Sequence, residues 1–130
     1  LFRSINPEKR IDLAKTGDGG AWKTDDLVVT YDYDRMNDRM DISGKVRFYV
    51  AGPDRTLERF WLTLYVLDKN NKIIASESIA NAPYTKEIGP ISFEDSLELP
   101  KDATGLTFGY HGEWASGGAQ PTKFWDTPGK

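Results

Sequence analysis

The sequence predicts an all-β domain: a two-sheet antiparallel β-sandwich of six or seven strands behind a largely irregular N-terminal arm. The first reason is periodicity. In the run Met40 to Val50, Met40, Ile42, Val46, Phe48 and Val50 fall on one side, and Asp41, Ser43, Lys45, Arg47 and Tyr49 on the other. A period of two marks a half-buried strand. The second is spacing. Comparable runs recur along the chain, separated by turn-forming residues, with no ten-residue stretch of helical period. The third is size. A chain of 130 residues suits one domain and buries roughly two thirds of its unfolded surface without covalent staples.

The elements follow in order. Residues 1–26 read as an arm, because Pro7 and Gly17-Asp18-Gly19-Gly20 break regular structure, and Glu8 to Ala14 is too short to hold a helix alone. Residues 27–130 form the sandwich. Leu27 to Asp34 is the first strand, with Leu27, Val29, Tyr31 and Tyr33 on one face. Met36-Asn37-Asp38-Arg39 turns into the second, Met40 to Val50. Ala51-Gly52-Pro53-Asp54-Arg55 is a loop. Leu57 to Leu67 is the most apolar strand: Phe60, Leu62, Leu64 and Val66 make one row, and Trp61, Thr63, Tyr65 and Leu67 the other. Asp68 to Lys72 is a hairpin connection, since Asn and Asp tolerate left-handed backbone angles. Lys72 to Ala80 returns, and Ala82-Pro83 ends it. Ile91 to Leu99 alternates again, Pro100 to Gly105 turns, and Leu106, Phe108 and Tyr110 line a sixth strand. Gly117-Gly118 and Pro121 break it before a short closing strand at Phe124-Trp125.

The expected core is Leu27, Val29, Tyr31, Ile42, Val46, Phe48, Phe60, Leu62, Leu64, Val66, Ile91, Phe93, Leu97, Leu106, Phe108 and Tyr110. The Leu99-Pro100 corner followed by Leu106-Thr107-Phe108-Gly109-Tyr110 resembles the crossing between the fifth and sixth strands of immunoglobulin-like and fibronectin-like domains. The resemblance spans residues 27–114. It departs from those domains in having no cysteine pair, and in having Leu106 where a tyrosine is expected, or that tyrosine shifted to Tyr110. The run Phe60 to Ile74 also resembles stretches of bacterial exported and lipoprotein β-sandwich domains. That resemblance implies a location, periplasmic or cell-surface, with lipid anchorage through residues upstream of Leu1.

Composition removes several function classes. There is no cysteine, hence no disulfide framework, thiolate zinc site or thiol nucleophile. Seventeen Lys and Arg against twenty Asp and Glu leave a net charge of −3. A nucleic-acid reader is more often basic, so no nucleic-acid partner is expected. No apolar run reaches the length of a bilayer span, so membrane contact would come only through an upstream anchor. No cofactor is expected.

His111 is the only histidine, and register places it outward, as a surface or hydrogen-bonding residue. No Gly-x-Ser-x-Gly turn accompanies it. Asp32, Asp34, Asp38 and Asp41 form a dense acidic group that hard-ion chemistry would suit to calcium. The spacing is not that of an EF-hand loop, and Arg35 and Arg39 are interleaved to neutralise it. A solvated, salt-bridged turn is the ordinary reading. Twenty acids leave a small hydrolase as a third-ranked reading, with no carboxylate pair singled out. The main binding candidate is an aromatic row. Tyr49 on the second strand, with Trp61 and Tyr65 on the third and Lys45 and Arg47 beside them, would share one sheet face if consecutive strands are neighbours. Such rings anchor a protein partner or stack on a sugar. The competing expectation is that Ile11, Leu13 and Trp22 of the arm, or Phe124 and Trp125, cover this row. The leading functional expectation is a non-enzymatic, envelope-associated interaction or accessory domain holding a protein partner or an adjacent domain. The alternative is a carbohydrate-binding module.

Overall fold

A computed structural model describes residues 7–13, 17–49, 55–82, 89–116 and 122–128. Val50, the 51–54 loop, and the breakers Pro83, Gly117, Gly118 and Pro121 lie outside the described residues. After a 3-10 turn at Pro7–Lys9 come nine strands: β1 (Ile11–Asp12), β2 (Asp18–Lys23), β3 (Leu27–Met36), β4 (Arg39–Phe48), β5 (Arg55–Leu67), β6 (Ile73–Ala82), β7 (Ile91–Glu98), β8 (Gly105–Ser116) and β9 (Thr122–Asp126). All pair antiparallel. One sheet runs β2-β3-β4-β7. The other runs β1-β8-β5-β6, with β9 also on β8.

The seven expected strands are all present. The other two, β1 and β2, lie in the arm expected to be largely irregular. β2 pairs with β3 from Asp18↔Tyr33 to Lys23↔Val28. Of the glycines read as breakers, Gly19 and Gly20 sit inside this strand and Gly17 just precedes it. A Cβ at Gly20 would meet the Tyr31 hydroxyl at 2.7 Å and its ring at 3.1 Å, so glycine is what allows a neighbouring ring to lie this close. Trp22 is buried and meets Phe108 and Tyr110 edge-on, with ring centroids 5.5 and 6.3 Å apart. The Lys9 carbonyl accepts from Trp22 Nε1 at 3.2 Å and Thr107 Oγ1 at 2.8 Å, which ties the arm to both sheets.

Turn chemistry fixes the hairpins. Asn37, between β3 and β4, has φ 55°, and Asn71, between β5 and β6, has φ 63°; Asn is the side chain best suited to that region. In the second turn Asp68 Oδ1 accepts from the Asn70 and Lys72 amides at 2.8 and 2.9 Å. The Lys72 amide, ahead of the Asn70 amide and the Lys72 and Arg10 charges, holds the Asp68 carboxyl below its ordinary value of 3.8. A depressed folded pKa stabilises the fold above the unfolded value and is lost as pH falls through the folded one. Asp68→Ala therefore lowers the melting temperature at neutral pH, and the gap to the wild type narrows once the pH passes below 3.8, as thermal melts across the acid range will show.

The core lies between the sheets. Of the expected core, Tyr31, Phe48 and Ile91 are half-buried and packed against it, and the other residues are buried. Tyr33, Met40, Leu57, Leu99, Ala103, Trp114 and Phe124 are buried as well. At one end Phe124 stacks on Trp114 at 5.2 Å and on Phe60 at 6.2 Å, and Phe48 meets all three edge-on. Nearby, the Tyr110 hydroxyl donates to Asp26 Oδ2 at 2.5 Å and lies 2.7 Å from Thr24 Oγ1. Burial first, then the Asp26 carboxylate, push its pKa upward. The hairpin β3–β4 belongs to one sheet and β5–β6 to the other. The chain therefore crosses the sandwich between β4 and β5, a crossing that decides where the aromatic candidates stand.

Candidate functional site

The outer face of the five-stranded sheet carries a row of side chains set by cross-strand register. Asn81 of β6 faces Trp61 of β5, Trp61 faces His111 of β8, and His111 faces Trp125 of β9. Inward neighbours alternate with them: Phe60 and Leu62 on β5, Tyr110 on β8 and Phe124 on β9 are buried. Period-two geometry thus holds the row on the solvent side. Trp61 and His111 stack, with centroids 4.3 Å apart and planes 28° from parallel. Trp125 is 59% exposed and has no ring partner among the described residues.

A second row lies beside the first. Arg59 faces Glu113, which faces Lys123. Arg59 Nε is 3.3 Å from Glu113 Oε2, and its guanidinium lies 5.8 Å from the Trp61 ring centroid. Tyr65 stands further along β5, over Gly109. A Cβ there would meet the Tyr65 ring at 2.8 Å and Pro128 at 2.9 Å, so the missing side chain is what lets these two rings close over the strand. The two rows of charged and aromatic side chains enclose a shallow depression of about 440 Å³ bounded by Trp61, Trp125, Arg59, Glu113, Lys123 and Thr127.

The expected binding set is divided. Trp61 and Tyr65 are on this face and are half-buried. Lys45 and Arg47 on β4, and Tyr49 just beyond it, belong to the other sheet. Lys45 and Arg47 alternate with buried Val46, and Tyr49 is 52% exposed. Their outer face looks away from Trp61. The single platform expected from consecutive strands does not form, because β4 and β5 are consecutive in sequence and lie in different sheets. The arm does not cover the Trp61 row either: Ile11, Leu13 and Trp22 pack with the core, and Phe124 points inward. His111 is outward, as register implies. Its stacking on Trp61 and its pairing with Trp125 were not visible in the sequence, because they follow from the β5–β8–β9 register.

The acidic group stands on the outer face of the four-stranded sheet. Asp34 lies directly opposite Asp41, and Asp32 opposite Ser43. Ser96 Oγ donates to Asp41 Oδ1 at 2.5 Å. Asp38 is in the turn, where its carbonyl accepts from the Leu99 amide. Among the described residues no three His, Asp or Glu converge on a metal position. Asp32 and Asp34 are two residues apart on one strand, about 7 Å, and Asp38 lies away in the turn, so within the group only Asp34 and Asp41 are directly paired. Arg35 does not neutralise the group, because it lies on the inward side and its guanidinium reaches the Ala103 carbonyl. Dialysis against a chelator is expected to leave the melting temperature unchanged, and added calcium to leave it within a degree or so.

No family model matches this chain, nor does any curated protein or any solved structure.

Proposed function

We propose that this is a non-enzymatic interaction or accessory domain of the cell envelope, and that it binds through the outer face of its five-stranded sheet. The observation that carries the reading is the Trp61–His111–Trp125 row flanked by Arg59. Tryptophan, tyrosine and arginine supply most of the energy of binding surfaces, because they present large, stiff contact area at low entropic cost. Trp125 is held on a sheet rather than on a loop, so its ring is already positioned before a ligand arrives. The envelope location rests on the resemblance of residues 60–74 to exported and lipoprotein sandwiches. The immunoglobulin-like reading has support in strand adjacency. Strands β4 and β7 neighbour in one sheet, and β5, β8 and β9 in the other, as the second and fifth and the third, sixth and seventh strands do in that family, although β6 lies beside β5 and not, as in its seven-strand form, beside the fifth strand β7.

Retention of native envelope material by the immobilised chain tests the proposal. Wild type and Asp32→Ser/Asp34→Ser, altered on the opposite face, are expected to retain the same material, and Trp125→Ala to lose it. Trp125→Ala keeps its melting temperature, because the ring is exposed and packs on no other ring. Trp61→Ala is the poorer probe, since Trp61 is half-buried against His111 and its loss also costs stability. Equal retention by Trp125→Ala and wild type would sink the proposal.

A further inference from the structure

We infer that the depression between Trp61 and Trp125 is a saccharide site, an inference that rests on reading this sheet face as the binding surface. Aromatic walls stand on two sides. One is the Trp61–His111 stack, and the other is Trp125, exposed and without a ring partner among the described residues. Hydrogen-bonding groups of both kinds stand in the adjoining row: Arg59 and Lys123 can donate, and Glu113 can accept.

Few ligands match this mixture. An apolar ligand would strip water from Arg59, Glu113 and Lys123 and give them nothing in return. A compact inorganic ion would leave the Trp125 face unused. A pyranose ring presents C–H groups to an aromatic face and a girdle of hydroxyls that both donate and accept. Arg59 and Lys123 outnumber the single carboxylate of Glu113, so a sugar carrying a carboxylate is favoured over its neutral counterpart. A protein partner is the competing occupant, and the test separates the two.

Isothermal titration calorimetry of the full chain with two series of short oligosaccharides, neutral glucans and oligogalacturonates, reads the outcome. Saturable binding is expected, tighter for the uronates. Trp125→Ala and Arg59→Ala each weaken it roughly tenfold or more, and Trp125→Phe, which keeps a ring, retains most of it. No saturable heat with either series overturns the inference, as does binding that Trp125→Ala leaves unaltered. If sugars fail while envelope material is still retained through Trp125, the binding face stands and its occupant is a protein. If both fail, both proposals fall.

Discussion

Phe60→Ala is expected to destabilise the domain by about 3–5 kcal/mol, the scale of a large aromatic truncation in a closed core. Phe60 is fully buried on β5, the strand that pairs with both β6 and β8. Its ring stacks on Phe124 at 6.2 Å, tilts against Tyr110 at 6.1 Å and takes the edge of Phe48 at 5.0 Å. Three rings from three other strands, across both sheets, thus lose a shared partner. The site cannot collapse easily, because each of those rings is fixed by a further contact: Phe124 by Trp114, Phe48 by Trp114, and Tyr110 by Asp26. Against a net stability of roughly 5–15 kcal/mol for a domain, the loss is a large fraction of the total. Denaturant melts of the two proteins measure it. A loss under about 1 kcal/mol would mean that the ring is not packed as described.

Arg10→Ala is the second large effect, expected at about 2–3 kcal/mol, the scale of one or two charge-assisted hydrogen bonds. The side chain is 14% exposed and its guanidinium gathers several partners from distant parts of the chain. Nε donates to Asp12 Oδ1 at 2.6 Å, Nη1 to the Asp68 carbonyl and Asn71 Oδ1 at 2.8 Å each, and Nη2 to Thr104 Oγ1 at 2.7 Å. One residue of the arm thereby clamps the β5–β6 turn to the start of β8. The Asp12 pair contributes little, because that carboxylate is solvent-exposed. The bonds to the turn decide the outcome. Arg10→Lys should recover little of the loss, since an ammonium cannot reproduce a planar fork that reaches several acceptors at once. Equal melting temperatures for Arg10→Lys and wild type would show that charge, rather than geometry, holds the clamp.

Most of the strands from β3 to β9 were legible because they carry their own alternation; β6, whose burial does not alternate, was legible from the Asp68 to Lys72 turn that precedes it. Phe60, Leu62, Leu64 and Val66 announce an inward row without reference to any other residue, and Asn37 and Asn71 stand where left-handed turns require them. Alternation says which side of a strand is inward. It does not say which sheet the strand joins. That gap separated Lys45, Arg47 and Tyr49 from Trp61 and Tyr65: the residues between β4 and β5 carry the chain from one sheet to the other, and no local pattern records it. Strand β2, within the arm, was not legible for a related reason. Gly19 and Gly20 resemble breakers in isolation, and only the approach of β3 makes side-chain-free positions fit a strand. Arg10 gave no signal at all, since its main partners lie some 58 to 94 residues away. Trp125 was visible as a residue, but its place beside His111 depends on register across β8 and β9. The candidate face was therefore legible in its ring types on β5 and not in its extent.

Amide and indole chemical-shift mapping of the labelled domain, titrated with native envelope extract, tests the binding face most directly. Shifts are expected to cluster on β5, β8 and β9, with the Trp61 and Trp125 indoles and the His111 amide moving first while Asp32, Asp34 and Ser43 stay still. Shifts confined to the acidic outer face of the four-stranded sheet, or to neither face, would contradict it.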